Sequence, residues 1–430
     1  MPGTQYAAAA SLALLSAIIA WAAIPLILRT KIAAALADTP DHRKVHSAPV
    51  PRVGGIAIIA ATLAAALAWR ALSPRIGAAP IPSGALFSIL TAAAGIGALG
   101  LLDDSRIVNV RVPHKLMAAA ALAAVTVFAF GASPGEISVF GLFAVPELAG
   151  KLLAALWIMA LINAYNLVDG LDGFAGTVSI LSLAGIAAVS HIAGCHAYAA
   201  LSLFAAGAAA GFMVHNAPPA KVFMGDTGSC FLGYMIALLT IGAASPMGDT
   251  GKVPAVMPLL IGVPILEVAI TILRRYIGAE RKGVRRTLKF IVTADSLHLH
   301  HRFLLKGFSH LDACVLIGTL SATIVGCAVC AALAPLSSLP YIAAYAAIPI
   351  TACLCNLGFA GPLKFLTARN PAPQPKQEPP RNIKLAGKRR RAIESRYFYT
   401  YLLIQIGLSL PVFALLIYLT LWPEAVGRKL

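Results

Sequence analysis

The sequence predicts an all-α polytopic integral membrane protein with about 11 to 12 transmembrane helices. Of its 430 residues, 59% are hydrophobic and only 12% are charged, whereas a soluble domain carries about a quarter charged residues. Apolar runs of about 20 residues can cross the hydrocarbon core as helices, because a helix satisfies its own backbone hydrogen bonds. Twelve such runs occur along the chain, at residues 7–28, 54–72, 84–102, 116–132, 150–167, 177–195, 197–216, 229–245, 254–273, 313–334, 339–360 and 398–421.

The basic residues predict the orientation of these helices. If the N-terminus lies outside, 28 of the 34 Lys and Arg residues fall in the inner loops, as the positive-inside rule requires. The net charge of +17 is therefore first a topology signal, and we expect no nucleic acid as a partner. The inner loops are then residues 29–53, 103–115, 168–176, 217–228, 274–312 and 361–397.

Composition divides the chain into three parts. Residues 1–363 form a transmembrane domain with eleven of the apolar runs. Residues 364–396 contain five prolines and ten Lys or Arg residues, a composition typical of a flexible basic linker on the inner side. Residues 397–430 contain the last apolar run and predict an extra C-terminal transmembrane helix.

The first acidic motif is Asp103-Asp104, at the end of the third apolar run. Acids at a helix C-terminus oppose the helix macrodipole, so two adjacent ones cost energy and indicate a function. Arg106 and Lys115 follow closely and offer positive charge to an anionic ligand. A solvated helix end with neighbouring ion pairs is the structural alternative.

A stripe of amides and carboxylates marks the end of the fifth run. Asn163, Asn166 and Asp169 recur at a spacing of three, which puts their side chains on one face of a helix. Asp172 extends this stripe, and Gly170 beside it allows a polyhydroxylated ligand to approach the backbone closely. A structural polar seam between helices is the alternative.

A third motif, Phe223-Met-Gly-Asp226-Thr-Gly-Ser229, precedes the eighth run. We expect the hydroxyls of Thr227 and Ser229 to cap the helix start, and the backbone N–H groups there to suit a phosphate. The Asp226 carboxylate suits a hard cation such as Mg²⁺, which prefers oxygen ligands and bridges phosphates. A plain capping loop is the alternative.

The long inner loop holds a cluster of His298, His300, His301 and Arg302. This cluster favours hydrogen bonds to phosphate or sugar over a zinc site, because no cysteine lies nearby.

A basic segment between the first two runs contains Lys44 and ends in Gly54-Gly55. By itself it is typical of an inner loop with proline turns. The glycine pair predicts tight packing where the chain enters the second helix. Five polar segments thus converge on one membrane face, the layout of a site that handles a charged, water-soluble substrate together with a lipid-embedded one.

In this order and spacing, the motifs resemble the polyprenyl-phosphate N-acetylhexosamine-1-phosphate transferase family, of the glycosyltransferase family 4 type. The resemblance covers nearly all of the predicted transmembrane domain. It implies transfer of a sugar 1-phosphate from a UDP-sugar to undecaprenyl phosphate with release of UMP, and Mg²⁺, or Mn²⁺ in its place, as cofactor. It also implies the bacterial inner (plasma) membrane, with the active-site loops on the cytoplasmic face.

The resemblance limits the class of sugar that is transferred but does not identify the sugar. The form His298-Leu-His300-His301 is similar to the branch that uses UDP-N-acetylglucosamine or a related UDP-N-acetylhexosamine. Phospho-N-acetylmuramoyl-pentapeptide transferase of peptidoglycan synthesis is the alternative within the family. From a different class, a transporter or lipid flippase also fits many helices with intramembrane acids. Whether the protein forms a homodimer stays open.

The resemblance also implies roles for single residues. Asp226 is implied to hold the metal, Asp103 or Asp104 to act as base for the lipid phosphate, and Phe223 to stack on uracil. The implied catalytic residues are Asp103, Asp104, Asp169, Asp172, His300 and His301. The implied binding residues are Asn163, Asn166, Phe223, Lys44, Arg106, Lys115 and Arg302.

Overall fold

The computed structural model describes residues 2–38, 49–105, 112–245, 247, 250–278, 303–304 and 308–356. Helices dominate this part of the chain. They are α1 (Pro2–Leu28), α2 (Lys31–Ala35), α3 (Gly54–Leu72), α4 (Ser83–Asp104), α5 (Val112–Ala124), α6 (Glu147–Val168), α7 (Phe174–Ile192), α8 (His196–Asn216), α9 (Gly225–Ala244), α10 (Val253–Ile261), α11 (Val263–Gly278), α12 (His310–Leu333) and α13 (Leu339–Asn356).

Nine helices within the described residues are long and apolar enough to cross a membrane, namely α1, α3 to α9 and α12, where α5 reaches this length together with the π-helical turn Val125–Ala129 that continues it. They confirm the prediction of an all-α polytopic membrane protein. The run predicted at 339–360 is helical as α13 up to Asn356, and its last four residues lie outside the described residues. Within the described residues, the apolar stretch Leu336–Ile348 is shorter than a membrane span. The linker and the last apolar run lie outside the described residues.

The run predicted at residues 254–273 does not form one straight span. Helices α10 and α11 meet at Gly262 with a bend of 94°. Gly262 has φ 65° and ψ −125°, a conformation that residues with a Cβ rarely adopt. Counted as one broken span, this pair brings the spans within the described residues to ten.

Two short hairpins, which the sequence did not predict, interrupt the helices. Strand β1 (Ala37–Asp38) pairs antiparallel with β2 (Val50–Pro51), with Asp38 opposite Val50. Strand β3 (Ile137–Val139) pairs antiparallel with β4 (Phe143–Val145). The first hairpin matters for the site, because it leads directly into α3.

Helix α9 is the centre of the bundle. Nearly all of its residues are buried, and it packs against α3, α4, α6, α7 and α8. Glycine allows close approach of backbones: a Cβ on Gly233 would lie 2.4 Å from the Leu161 carbonyl oxygen. Helix α1, in contrast, exposes Leu14, Trp21 and Leu26, as a helix that faces lipid does.

Polar side chains inside the bundle form neutral pairs between helices. The hydroxyls of Thr126 and Tyr234 lie 2.8 Å apart, and Tyr234 also donates to the Ser88 carbonyl at 3.2 Å. The Tyr165 hydroxyl donates to Ser182 at 2.9 Å. We call these the interior polar pairs. They link helices in surroundings where the hydrophobic effect gives little drive for association.

Candidate active site at the helix ends

Four helix ends meet around one cleft. They are the C-terminal ends of α4 and α6 and the N-terminal ends of α5 and α9. The polar residues that line the cleft are Asp103, Lys115, Asn163, Asn166 and Asp226. The remaining lining residues are apolar or small: Ile96, Leu99, Gly100, Ala118, Ala119, Ile162 and Cys230. The cleft therefore combines a charged region with apolar walls.

Lys115 joins two carboxylates at this cleft. Its Nζ donates to Asp103 Oδ2 at 2.8 Å and also to Asp226 Oδ2. The three side chains are between 21% and 34% exposed, so these ion pairs are partly shielded from solvent and stronger than pairs at an open surface. One cation is thus shared by two acids that come from different helices.

Asn163 and Asn166 both line the α6 side of the cleft, as their spacing predicts. The Asn166 amide donates to Ser229 Oγ on α9 at 3.3 Å. The Asn163 amide donates to the carbonyl of Met159, one turn earlier in α6, at 2.7 Å. The stripe is therefore partly a seam between α6 and α9, as the structural alternative held, and partly a wall of the cleft.

Asp104 is buried and does not line the cleft. Its Oδ1 accepts from the backbone N–H of Asp226 at 3.1 Å. Its Oδ2 accepts from the backbone N–H and the hydroxyl of Thr227, at 3.2 and 2.9 Å. The carboxylate therefore caps α9 from another helix, and its charge complements the positive end of the α9 dipole.

The prediction that Thr227 and Ser229 cap α9 was wrong. The helix begins at Gly225, so both residues lie within the helix, past the position from which a side chain caps its first N–H groups. The Ser229 hydroxyl donates to the Gly225 carbonyl at 3.0 Å, and the Thr227 hydroxyl donates to Asp104. The N–H groups of Asp226 and Thr227, predicted to suit a phosphate, bind Asp104 instead.

Arg52, just before α3, connects Asp104 to the first hairpin. Its Nη1 lies 3.6 Å from Asp104 Oδ1, and its Nη2 lies 3.0 Å from Asp38 Oδ1. Both acids are buried, whereas Arg52 is about a quarter exposed, at 26%. A buried carboxylate needs such a partner, because its charge is otherwise costly to remove from water.

Main-chain contacts confirm the tight packing predicted at Gly54-Gly55. Their N–H groups donate to the carbonyls of Phe223 and Met224, both at 3.0 Å. A Cβ on Gly55 would lie 2.3 Å from the Gly228 nitrogen, so a side chain there would push α3 away from α9. The Phe223 side chain itself is half-buried and does not line the cleft.

Asp169 follows the last residue of α6 and is half-buried. Its pKa is raised to about 7, mainly by burial and then by the negative charges of Asp226 and Asp104, against a lowering by Arg52. This carboxyl group is therefore coupled to the acids at the helix ends and exchanges a proton near neutral pH.

Asp172 holds the loop between α8 and α9 and does not line the cleft. Its Oδ2 accepts from the Ala220 N–H at 3.0 Å and lies 3.6 Å from Nδ1 of His310, the first residue of α12. Asn216 supports the same loop, because its amide donates to the Val222 carbonyl at 2.8 Å. Asp172 thus orders the backbone that leads to Asp226.

Sequence reasoning included Asp38 and Arg52 only in the basic segment before α3, without a role for either, and it missed His310. Arg52 carried a signal, since it lies two residues before Gly54 of the glycine pair that packs on α9. His310 carried none, because it meets Asp172 only after distant segments have packed together. The predicted site residues that lie outside the described residues are Lys44, Arg106, His300, His301 and Arg302.

The acids at the cleft fit a magnesium ion by their donor chemistry. Within the described residues, no three His, Cys, Asp or Glu side chains gather closely enough to hold a metal by themselves. Mg²⁺ does not require such a set, because it commonly takes one or two carboxylates together with water and substrate phosphates. Asp103 and Asp226 offer two carboxylates of that kind, at present shared by Lys115.

Comparison with known proteins assigns the chain to a family. Residues 86–244 match glycosyl transferase family 4. Over 295 residues, the chain is 32% identical to the protein of Bacillus subtilis (strain 168) named probable undecaprenyl-phosphate N-acetylglucosaminyl 1-phosphate transferase, an alignment that covers 66% of this chain and 74% of the relative. The chain belongs to glycosyl transferase family 4. The resemblance seen in its motifs is thereby confirmed.

Two further relatives are similar to the chain, and the second of them is the more distant. Decaprenyl-phosphate N-acetylglucosaminephosphotransferase of Mycobacterium leprae (strain TN) is 31% identical over 297 residues, 65% of this chain and 72% of the relative. Phospho-N-acetylmuramoyl-pentapeptide-transferase of Pelotomaculum thermopropionicum is 31% identical over 304 residues, 66% of this chain and 85% of the relative. The protein is therefore a multi-pass membrane enzyme of the glycosyl transferase family 4, which argues against the transporter alternative.

Proposed function

We propose that this family member transfers N-acetylglucosamine 1-phosphate, or the 1-phosphate of a related N-acetylhexosamine, from a UDP-sugar to undecaprenyl phosphate and releases UMP. The observation that carries the proposal is Lys115 held between Asp103 and Asp226 at a cleft with apolar walls. Such a cleft suits a reaction in which one substrate is an anionic nucleotide and the other is an anionic lipid.

The lipid acceptor fits the apolar part of the cleft. Ile96 and Leu99 of α4 and Ile162 of α6 offer walls for the first isoprene units, and burial of apolar surface contributes roughly 25 cal/mol per Å². Lys115 lies at the same cleft and provides the cation for the lipid phosphate. The ammonium then gives up one of the two carboxylates that it now binds.

The acids at the cleft are the residues that would hold the metal. We propose Asp226, together with Asp103, as ligands for Mg²⁺, or for Mn²⁺ in its place. A bound divalent cation neutralises negative charge on the diphosphate and on the departing UMP. Lys115 would then balance the charge of the lipid phosphate, and a cation held by Asp103 and Asp226 would balance the charge of the diphosphate.

The proposed reaction is a displacement at phosphorus. An oxygen of the lipid phosphate forms a bond to the β-phosphorus of the UDP-sugar. The bond from that phosphorus to the bridging oxygen breaks, and its electron pair leaves with UMP. Such transfers depend on position and charge neutralisation more than on covalent help from the protein, which is why a charged cluster fixed by several helix ends suits the task.

The same arrangement supports a location for the reaction. We propose that the cleft opens to the cytoplasmic face of a bacterial inner membrane, because the helix ends that form it lie on the side where the predicted inner loops together hold 28 of the 34 Lys and Arg residues. A cysteine placed at Ser105, next to the cluster, is expected to react with a membrane-impermeant thiol reagent from the inside only. Labelling of that cysteine from the outside of intact cells would reverse the orientation.

The activity is tested with purified protein, undecaprenyl phosphate and a panel of radiolabelled nucleotides. The panel contains UDP-N-acetylglucosamine, UDP-N-acetylgalactosamine and the UDP-N-acetylmuramoyl-pentapeptide. We expect equal amounts of UMP and labelled lipid with a UDP-N-acetylhexosamine, and neither product when the lipid phosphate is omitted. Comparable turnover of the pentapeptide nucleotide would assign the chain to the other branch, and absence of UMP with every nucleotide would refute the proposal.

A further inference from the structure

We propose that Asp104 is a positioning residue, which fixes the first turn of α9 and thereby the Asp226 carboxylate, whereas its neighbour Asp103 is the acid that meets the substrates. The catalytic half of this inference rests on the proposed function. Its structural half, that Asp104 holds the start of α9, does not depend on the reaction.

The hydrogen bonds of Asp104 already engage both carboxylate oxygens. Oδ1 accepts from the Asp226 N–H, and Oδ2 accepts from the N–H and the hydroxyl of Thr227. The side chain is 0% exposed. The Asp103 side chain, in contrast, is 23% exposed and lines the cleft. Of the two adjacent acids, only Asp103 can therefore touch a substrate without a rearrangement of α9.

Arg52 gives the buried Asp104 its counter-charge. The guanidinium lies between Asp104 and Asp38, at 3.6 and 3.0 Å. The Phe223 N–H donates to the Pro51 carbonyl at 2.9 Å in the same region. The first turn of α9 is therefore held through Asp104 on α4 and through the segment that precedes α3.

Gly225 makes the close approach of Asp104 possible. Its φ of 70° is readily adopted only by glycine, and a Cβ on this residue would lie 2.5 Å from Asp104 Oδ2. Any larger residue would therefore push the carboxylate away from the N–H groups it caps. The glycine that precedes Asp226 thus serves the cap, and the cap in turn orients Asp226 toward Lys115.

The decisive experiment compares Asp104→Ala with the matched variant Asp103→Ala. Hydrogen–deuterium exchange is measured on the peptide that contains the Asp226 and Thr227 amides, and kcat and KM are measured for both substrates. In Asp104→Ala we expect faster exchange of these amides and a loss of about a hundredfold in kcat, the scale of a misplaced catalytic group. In Asp103→Ala we expect kcat to fall while exchange stays at the wild-type rate.

A second pair keeps the inference testable if Asp104→Ala does not fold. Thr227→Val removes the hydroxyl that donates to Asp104, and Thr227→Ser keeps it. We expect Thr227→Val to lower kcat about tenfold, with little change in KM for undecaprenyl phosphate, because the apolar walls are untouched. We expect Thr227→Ser to restore most of the turnover. Equal, wild-type kinetics in both variants would overturn the inference.

Two other results of the Asp104→Ala experiment also test the inference. If Asp104→Ala loses turnover while amide exchange is unchanged, Asp104 acts on the substrates. If Asp104→Ala exchanges faster but keeps normal turnover, the cap does not position Asp226 for catalysis. Either result overturns the inference. If the wild-type protein releases no UMP with any nucleotide, the proposed function fails. The exchange measurement alone then shows whether Asp104 holds α9.

Discussion

The charged residues at the helix ends and the neutral pairs inside the bundle solve the same problem in different ways. We call Asp103, Asp104, Lys115 and Asp226 the helix-end cluster. Both regions place polar groups away from bulk water, where each needs a partner. The interior polar pairs, such as Thr126 with Tyr234, are neutral and join two or three groups. The helix-end cluster joins charged groups from three helices, and all of its members except Asp104 line a cleft.

The neutral pairs contribute to helix packing, whereas the charged cluster is proposed to act on a ligand. A neutral hydroxyl pair contributes only modestly to the association of membrane helices, because the separated helices also find partners. A cluster of charges is more expensive to bury and is maintained at a functional site for its effect on a ligand. Substitutions in the helix-end cluster are therefore expected to affect turnover, and substitutions in the interior polar pairs are expected to affect stability.

The largest effect is expected at Asp226. Asp226→Asn removes the carboxylate proposed to hold the metal, and the help of a metal ion is worth several kcal/mol in the transition state. Turnover is therefore expected to fall by about a hundredfold or more, since each ~1.4 kcal/mol is a factor of ten. The measurement is UMP release against Mg²⁺ concentration, with the exposed acid Glu147→Gln as control. A near-normal rate with unchanged magnesium dependence would place the metal elsewhere.

A smaller effect on turnover is expected at Lys115. Lys115→Met removes the cation proposed for the lipid phosphate, so turnover falls by about tenfold, as for the loss of one hydrogen bond to a charged group. At the same time, a cation binds the two acids more tightly, because the ammonium no longer competes. Mn²⁺ binding without substrates, followed by electron paramagnetic resonance, measures this directly.

The control for Lys115 is Lys151→Met, which breaks a pair with Glu147 elsewhere on α6. This variant is expected to leave both turnover and Mn²⁺ binding unchanged. Weaker Mn²⁺ binding in Lys115→Met than in the wild type would contradict the view that Lys115 and the metal share the same carboxylates.

Asp169, which lies near the helix-end cluster, is expected to make the stability of the protein depend on pH. Its pKa is about 7 in the folded protein against an ordinary 3.8, so between these values the folded state binds more protons than the unfolded state. Stability therefore falls as pH rises through this window and stays lower above it. The unfolding temperature in detergent is measured at pH 5 and at pH 8. We expect it to fall less between these two pH values in Asp169→Asn than in the wild type. An equal loss in both proteins would exclude this role for Asp169.

The smallest effect on turnover is expected in the interior polar pairs. Tyr234→Phe removes the hydroxyl shared with Thr126 and Ser88, at a cost of about 0.6 to 1.7 kcal/mol in stability. Turnover of the folded protein is expected to stay within about twofold, a change of less than 0.5 kcal/mol in the barrier. Tyr165→Phe, which removes a bond to Ser182, is the matched variant. If either variant lost turnover strongly while its unfolding temperature stayed unchanged, the interior polar pairs and the helix-end cluster would not differ in role.

Local patterns were enough to predict the membrane-spanning helices and the residues at their ends. An apolar run of about 20 residues specifies a helix in lipid whatever surrounds it, and the spacing of Asn163 and Asn166 put both on one face for the same local reason. The packing at Gly54-Gly55 was also visible, because paired glycines at a helix entry permit close approach. The bend at Gly262 and the two hairpins depend on weaker local signals and were missed.

The different surroundings of Asp103 and Asp104 were decided by tertiary structure alone. The two acids are adjacent and chemically identical, so the sequence offers no ground for choosing between them. Successive residues of a helix point about 100° apart, and the packing of α4 against α9 turns one toward the cleft and the other toward the N–H groups of Asp226 and Thr227. Those partners lie more than a hundred residues away in the chain, beyond the reach of any local pattern.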